Sequence, residues 1–248
     1  MWLEGKRVVL TGPTRGIGRA LAEQLVSRGA VVLGVARPSA ALDRVAAELG
    51  AGFVPLPCDL ADPVARAALL ADLTGPLAPV DALINNAGIQ VNRDYLTEDP
   101  QGVGDEIAAE VAVNLIAPLH LAAALAPYLA ARPDGGVVLN ITSALALVPK
   151  RSAPVYCATK AGLQSFTTAL RYQAEGSGLR VVEGVMALVD TDMTAGRGRG
   201  KITAEQAAAE VLAGLENRQP RIWVGKTRAL RLIHRLAPGL AARILRDS

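Results

Sequence analysis

TGPTRGIG, residues Thr11–Gly18, lies between an apolar run, Lys6–Thr11, and a segment of helical periodicity, Ile17–Arg28. Its glycines fall at 12, 16 and 18. That is not the GxGxxG spacing of the common dinucleotide fingerprint, and no Gly-Lys-Ser/Thr follows to make a P-loop. The mechanics are shared nevertheless. Glycines let the chain turn sharply on leaving a strand and bring its backbone close to a pyrophosphate, and the N-terminus of the next helix attracts negative charge. Gly12, Thr14, Arg15, Gly16, Ile17 and Gly18 form the candidate phosphate cradle.

Outward from this turn the same unit repeats. Val31–Ala36, Phe53–Leu56, Ala82–Asn85, Val137–Thr142 and Val181–Ala187 read as buried strands. Ala40–Leu49, Pro63–Leu73, about Ile107–Ala130 and Val155–Glu175 read as helices between them, followed by Ala204–Leu215 and a last strand, Arg221–Val224. Strands alternating with helices predict an α/β fold, a Rossmann-like doubly wound parallel sheet. No linker, repeat or low-complexity tract divides residues 1–248, so one domain is expected. The irregular segment Thr194–Thr203, TAGRGRGKIT, reads as a mobile loop over the substrate.

Composition narrows the function. The 248 residues are 51% hydrophobic, enough for one large buried core, and only 3% aromatic, which suits close packing of helices on a parallel sheet. A net charge of +3 is too weak to argue for nucleic acid. Cys58 and Cys157 are far apart and fit a reducing cytoplasm better than a disulfide framework. With His120 and His234 also isolated, no metal-ligand spacing is found. The N-terminus enters a strand at once without a cleavable signal, and no apolar run reads as long enough to cross a membrane.

VYCATKAG, Val155–Gly162, puts Tyr156 four residues before Lys160, on one face of a helix. A cation beside a phenol favours the phenolate. Moving that phenol from about 10 toward 7–8 takes about 3–4 kcal/mol of preferential stabilisation. Other marks fall in order: NNAG at Asn85–Gly88, Asn114 in VNL, Ser143 thirteen residues before Tyr156, and VDTDM at Val189–Met193. With TGxxxGIG, these resemble the short-chain dehydrogenase/reductase family along almost the whole chain. NNAGIQ, PVYCATKA and LVDTDM resemble most a little-characterised subgroup named for an oxidoreductase found near lipoteichoic-acid D-alanylation genes. One departure is plain: Met186-Ala187 stands where the family usually has Pro-Gly, which puts the shape of that loop in question.

The resemblance implies a nicotinamide-dependent enzyme interconverting a ketone and a secondary alcohol by hydride transfer. Tyr156 would give or take the proton. Lys160 would support it and hold the nicotinamide ribose, Ser143 would hydrogen-bond the substrate oxygen, and Asn114 would help hold a water relay. It also implies cofactor contacts from Asn86, Ala87, Gly88, Val189, Thr191 and Asp59, the last on adenine. From the residues alone, Asp59 could instead cap the helix after it. A non-catalytic redox sensor or scaffold is the alternative, disfavoured by the intact set. An epimerase or dehydratase would need a longer C-terminal region.

Cofactor choice turns on the end of the second strand, VLGVARPS, where an NAD-selective site usually carries an acid. Ala36 stands there, Arg37 follows, and Arg15 sits in the glycine loop. NADP(H) is therefore expected to be preferred, with NAD(H) the weaker ligand. Ala144–Val148 predicts an apolar wall in a pocket completed by Gln90–Asp99 and the segment after Thr191, for a small hydrophobic carbonyl or alcohol. The family resemblance implies a homodimer or homotetramer. The tail, residues 227–248, carries Leu232, Leu236, Leu240 and Ile244 at four-residue steps among arginines. The stripe is expected to pack on the substrate side or on a neighbouring subunit, and a second reading lays it on an anionic membrane.

Overall fold

A computed structural model describes residues 3–196 and 200–247. The two loop arginines Arg197 and Arg199 lie outside the described residues. Seven strands, β1 (Arg7–Thr11), β2 (Val31–Ala36), β3 (Phe53–Pro57), β4 (Ala82–Asn85), β5 (Gly136–Ser143), β6 (Leu179–Met186) and β7 (Arg221–Trp223), form one parallel sheet in the order β3-β2-β1-β4-β5-β6-β7. The near-continuous Val, Ile and Leu of these strands match a sheet covered on both faces. Helices α1 (Gly16–Ser27), α2 (Ala40–Leu49) and α7 (Ala204–Glu216) bury Leu21, Leu25, Leu42, Val45, Val211 and Leu212 on one face. Helices α3 (Pro63–Thr74), α5 (Ala117–Ala130) and α6 (Pro154–Gln173) bury Leu69, Leu73, Leu121, Leu125 and Leu170 on the other. Side-chain caps start three of them: Ser39 accepts from the Leu42 N–H, Asp62 from Val64, and Thr203 from Gln206.

Strand order reverses between β1 and β4, the place where an open α/β sheet leaves a crevice beyond its carboxyl ends. Thr11, Asn85 and Ser143 end the three strands at that crevice.

Three expectations change. The long helix begins at α4 (Val103–Val111) and reaches α5 through a π-helical turn, Ala112–Ile116, which carries Asn114. The π turn leaves Asn114 bonded both ways to Ile89: Nδ2 donates to the Ile89 carbonyl at 2.7 Å, and Oδ1 accepts the Ile89 N–H at 2.8 Å. That 28-residue stretch, Val103–Ala130, is also long and apolar enough to cross a membrane by length and composition, contrary to the reading of the sequence. Its Leu121, Leu125 and Leu129 are buried in the core against the sheet, while Ile107, Ile116 and Tyr128 stay exposed. The tail is two helices, α8 (Thr227–Leu236) and α9 (Pro238–Leu245), broken at Pro238. Its stripe is at least half exposed, Leu232, Leu236, Leu240 and Ile244 at 59, 72, 50 and 50%, and only Ile244 of the four also lines the cleft beyond the strand ends.

Candidate active site

The glycine loop and the NNAG segment are one tied unit. Thr11 Oγ1 accepts the backbone N–H groups of Asn86 and Ala87, each at 2.9 Å. Asn86 Nδ2 donates back to the carbonyls of Thr11 at 3.0 Å and Gly12 at 3.2 Å. Gly12 has φ +69°, and a Cβ there would lie 3.0 Å from Ala87 Cα. A Cβ on Gly18 would overlap the Gly12 carbonyl oxygen. The cradle is thus closed to side chains on its own side and presents backbone at a helix N-terminus, which fits a phosphate. Gly18→Ala is expected to cost roughly 1–3 kcal/mol through this overlap. In a domain of this size that is about 2–4 °C of melting temperature per kcal/mol. Gly104→Ala, where a Cβ meets nothing within 4 Å, leaves the melting temperature unlowered. Paired thermal scans check it.

Beyond the cradle a cleft of about 1200 Å³ runs along the carboxyl ends of the strands. Every residue assigned from the sequence to cofactor contact lines it: Gly12, Thr14, Arg15, Gly16, Ile17, Gly18, Arg37, Asp59, Asn86, Ala87, Gly88, Tyr156, Lys160, Val189 and Thr191. Ser143 lines it as well. Asp59 accepts the Ala61 N–H at 2.9 Å, while Asp62 caps α3, so the capping role considered for Asp59 belongs to its neighbour. Arg37 is exposed at the cleft, and no carboxylate ends β2. Arg15 lies 3.6 Å from Asp192, both largely exposed. Among the described residues no cluster of three His, Cys, Asp or Glu side chains is placed to hold a metal ion.

At the switch point α6 lays Tyr156 and Lys160 beside β5. Lys160 is 4% exposed; its Nζ donates to the Ile141 carbonyl at 2.9 Å and stands 5.7 Å from the Tyr156 ring centroid. Burial pushes the Lys160 ammonium down to about 8. A Cβ on Gly88 would lie 3.3 Å from Asn114 Oδ1 and 3.6 Å from Lys160 Nζ, so the two polar groups converge on that glycine. Ser143 Oγ accepts the Leu145 N–H at 3.1 Å, which turns the chain out of β5. Cys157, next to Tyr156, is buried, and its thiol is pushed up by burial, away from the reactive thiolate.

Several contributors were missed in the sequence. Thr159 accepts from Asn114 Nδ2 at 3.4 Å and donates to the Tyr156 carbonyl at 2.8 Å, linking the π turn to α6. Glu110, one turn before Asn114, is buried, accepts the Val91 N–H at 3.1 Å, and its carboxyl is pushed up by burial. The apolar wall differs from the expected one. Of Ala144–Val148 only Ala144 and Leu145 face the cleft, and Val148 is buried in the protein. Gln90 alone represents the Gln90–Asp99 segment. Met186, Leu188 and, from the tail, Leu230, Ile233, Ile244 and Leu245 complete the wall. The tail's alternation of apolar and basic residues was a visible signal, but not which of its sides would close the cleft.

The Met186-Ala187 departure leaves the next segment held by pairing. Val189 bridges Ile202, and the Asp190 N–H donates to the Ile202 carbonyl at 2.8 Å. Thr191 is the N-cap of a short turn, Asp192–Thr194, and its N–H donates to Thr194 Oγ1 at 3.3 Å.

A family model described as short chain dehydrogenase matches residues 6–201. An uncharacterised oxidoreductase, DltE, of Bacillus subtilis is 34% identical, covering 93% of this chain and 92% of that one. A fatty acyl-CoA reductase of Mycobacterium tuberculosis is also 34% identical, over 89% of this chain and 76% of its own length. Among solved structures, a short chain dehydrogenase from Burkholderia cenocepacia in complex with NADP superposes with a TM-score of 0.85 at 28% identity, covering 99% of both chains.

Proposed function

This chain belongs to the short-chain dehydrogenase family, and on that premise we propose that it interconverts a ketone and a secondary alcohol with NADP(H). The observation that carries the reading is that Tyr156, Lys160 and Ser143 line one cleft at the switch point, with Asn114 fully buried behind it, beside Gly88 and Lys160. The glycine cradle, Asn86 and Lys160 would hold the dinucleotide. When bound, it exchanges a hydride with the carbon of the carbonyl or alcohol. As negative charge grows on the substrate oxygen, Tyr156 donates its phenolic proton; in the oxidative direction its phenolate removes the alcohol proton. Ser143 donates a hydrogen bond to the same oxygen from a position set in advance by the end of β5. Lys160 favours the phenolate through its charge, and Asn114 seats the water through which protons pass toward solvent.

Arg37, exposed at the cleft where an NAD-selective site has an acid, supports NADP(H) over NAD(H). The NADP in the Burkholderia structure supports it too. Arg37→Ala is expected to weaken NADP(H) binding about tenfold, the low end for a contact to a charged group. Arg15→Ala has a smaller effect, since Asp192 already partners it. NAD(H) titration separates the cases: equal losses for both cofactors would remove the arginines from phosphate recognition.

The mostly apolar wall, with a fatty acyl-CoA reductase among the relatives, supports a hydrophobic carbonyl. Ile107, Ile116, Tyr128 and Tyr172, exposed on α4, the π turn, α5 and α6, support association into a homodimer or homotetramer. Purified protein incubated with NADPH and a panel of ketones of increasing chain length tests the reaction. Cofactor oxidation with the hydrophobic members is expected; binding without turnover across the panel, and with the matching alcohols and NADP, would favour a sensor.

A further inference from the structure

The α8–α9 hairpin has two unlike sides. Leu230, Ile233 and Leu245 line the cleft, and Ala241 is fully buried. The end of the hairpin is pinned by the Arg151 N–H, which donates to the Arg246 carbonyl at 2.8 Å, and by Arg151 with Asp247 at 3.0 Å. Outside stand Leu232, Leu236, Leu240 and Ile244, all at least half exposed. Arg228, Arg231, Arg235, Arg243 and Arg246 are exposed among them. Asp247 is the one acid in residues 227–248, and it is paired with Arg151 and Arg246. No carboxylate lies within 4 Å of Arg228, Arg231, Arg235 or Arg243 among the described residues. Arg231 instead lies over the Trp223 ring, 5.2 Å from its centroid.

We propose that this outer face docks on an anionic lipid bilayer, its leucines entering the acyl boundary and its arginines meeting lipid phosphates. Large apolar side chains interleaved with arginine on a short amphipathic helix pair are the composition of an interfacial element. A second copy of the chain is the poorer occupant. A two-fold contact sets the same patch against itself, and here that would oppose arginines to arginines, the hairpin's one acid, Asp247, being already paired. Ile244 both stands on this face and lines the cleft, so the docked face adjoins the mouth of the site. The inference does not depend on the reaction proposed above, since its readout is partitioning.

The test is co-sedimentation of the full chain with vesicles of phosphatidylcholine containing phosphatidylglycerol, against phosphatidylcholine alone, at low and high salt. Wild type is expected to pellet with the anionic vesicles at low salt and to be released by high salt. Each arginine at an anionic surface contributes roughly a fivefold gain in partitioning. Arg235→Gln with Arg243→Gln is therefore expected to bind about thirtyfold more weakly. Leu236→Asp with Leu240→Asp is expected to remain in the supernatant, with circular dichroism and cofactor binding unchanged. If the aspartate pair fails to fold, the glutamine pair decides alone. Wild type recovered wholly in the supernatant overturns the proposal, as does equal pelleting of wild type and the glutamine pair. A dimer by light scattering that the aspartate pair dissociates would assign the face to a second copy and overturn it as well.

Discussion

Tyr156→Phe turns over about 10²- to 10⁴-fold more slowly than wild type while binding cofactor with near-normal affinity. The range is what a positioned general acid or base contributes, and corresponds to roughly 3–5.5 kcal/mol of barrier. The substitution removes one oxygen and keeps the ring, so the packing of α6 against β5 and the 5.7 Å approach of Lys160 to the ring survive. Ser143 and the cradle are untouched, so the loss appears in kcat and leaves the cofactor dissociation constant in place. Steady-state rates with the best ketone of the panel, beside a cofactor titration, check both halves. Near-normal turnover would remove Tyr156 from proton transfer.

Lys160→Met lowers turnover by a comparable factor and, unlike the tyrosine change, weakens cofactor binding. Methionine fills the buried channel but brings neither charge nor donor, so the phenolate loses its neighbour and the Ile141 carbonyl loses the Nζ–H bond. The buried ammonium also leaves a thermodynamic signature. Its pKa in the folded chain is about 8, below the ~10.4 of an unfolded lysine. Below pH 8 both states hold the proton, and the folded state carries the full burial penalty. Between about 8 and 10.4 the unfolded chain binds more protons than the folded one, so stability contributed by this group rises with pH. The other titrating groups are common to both proteins. The melting temperature of cofactor-free wild type, measured relative to Lys160→Met, therefore increases from pH 7 to pH 10. A pH-independent difference would mean that Lys160 does not titrate from a buried position.

Much of the molecule was written locally. Seven apolar runs separated by helical periodicities set the parallel sheet, because a strand covered on both faces must be apolar throughout and a flanking helix must be apolar on one stripe. The glycines at 12, 16 and 18 marked the cradle because only glycine accepts the backbone's closeness to Asn86, Ala87 and Thr191. Tyr156 and Lys160 were legible as a pair because four residues is one helical turn. What the tertiary structure decided were contacts between distant segments. The order of β1 and β4 brought Thr11 to Asn86 and Ala87, across 75 and 76 residues of chain. The π turn that aims Asn114 answers a carbonyl and an N–H of Ile89, which no pattern within its helix announces. Asp192 approaches Arg15 only because the segment after β6 folds back over the glycine loop. The tail shows the limit most plainly. Its periodicity revealed that Leu232, Leu236, Leu240 and Ile244 share a side, but periodicity records angles around one helix axis. Which side meets the protein depends on where the cleft lies, and of that stripe only Ile244 reaches it, beside Leu230, Ile233 and Leu245.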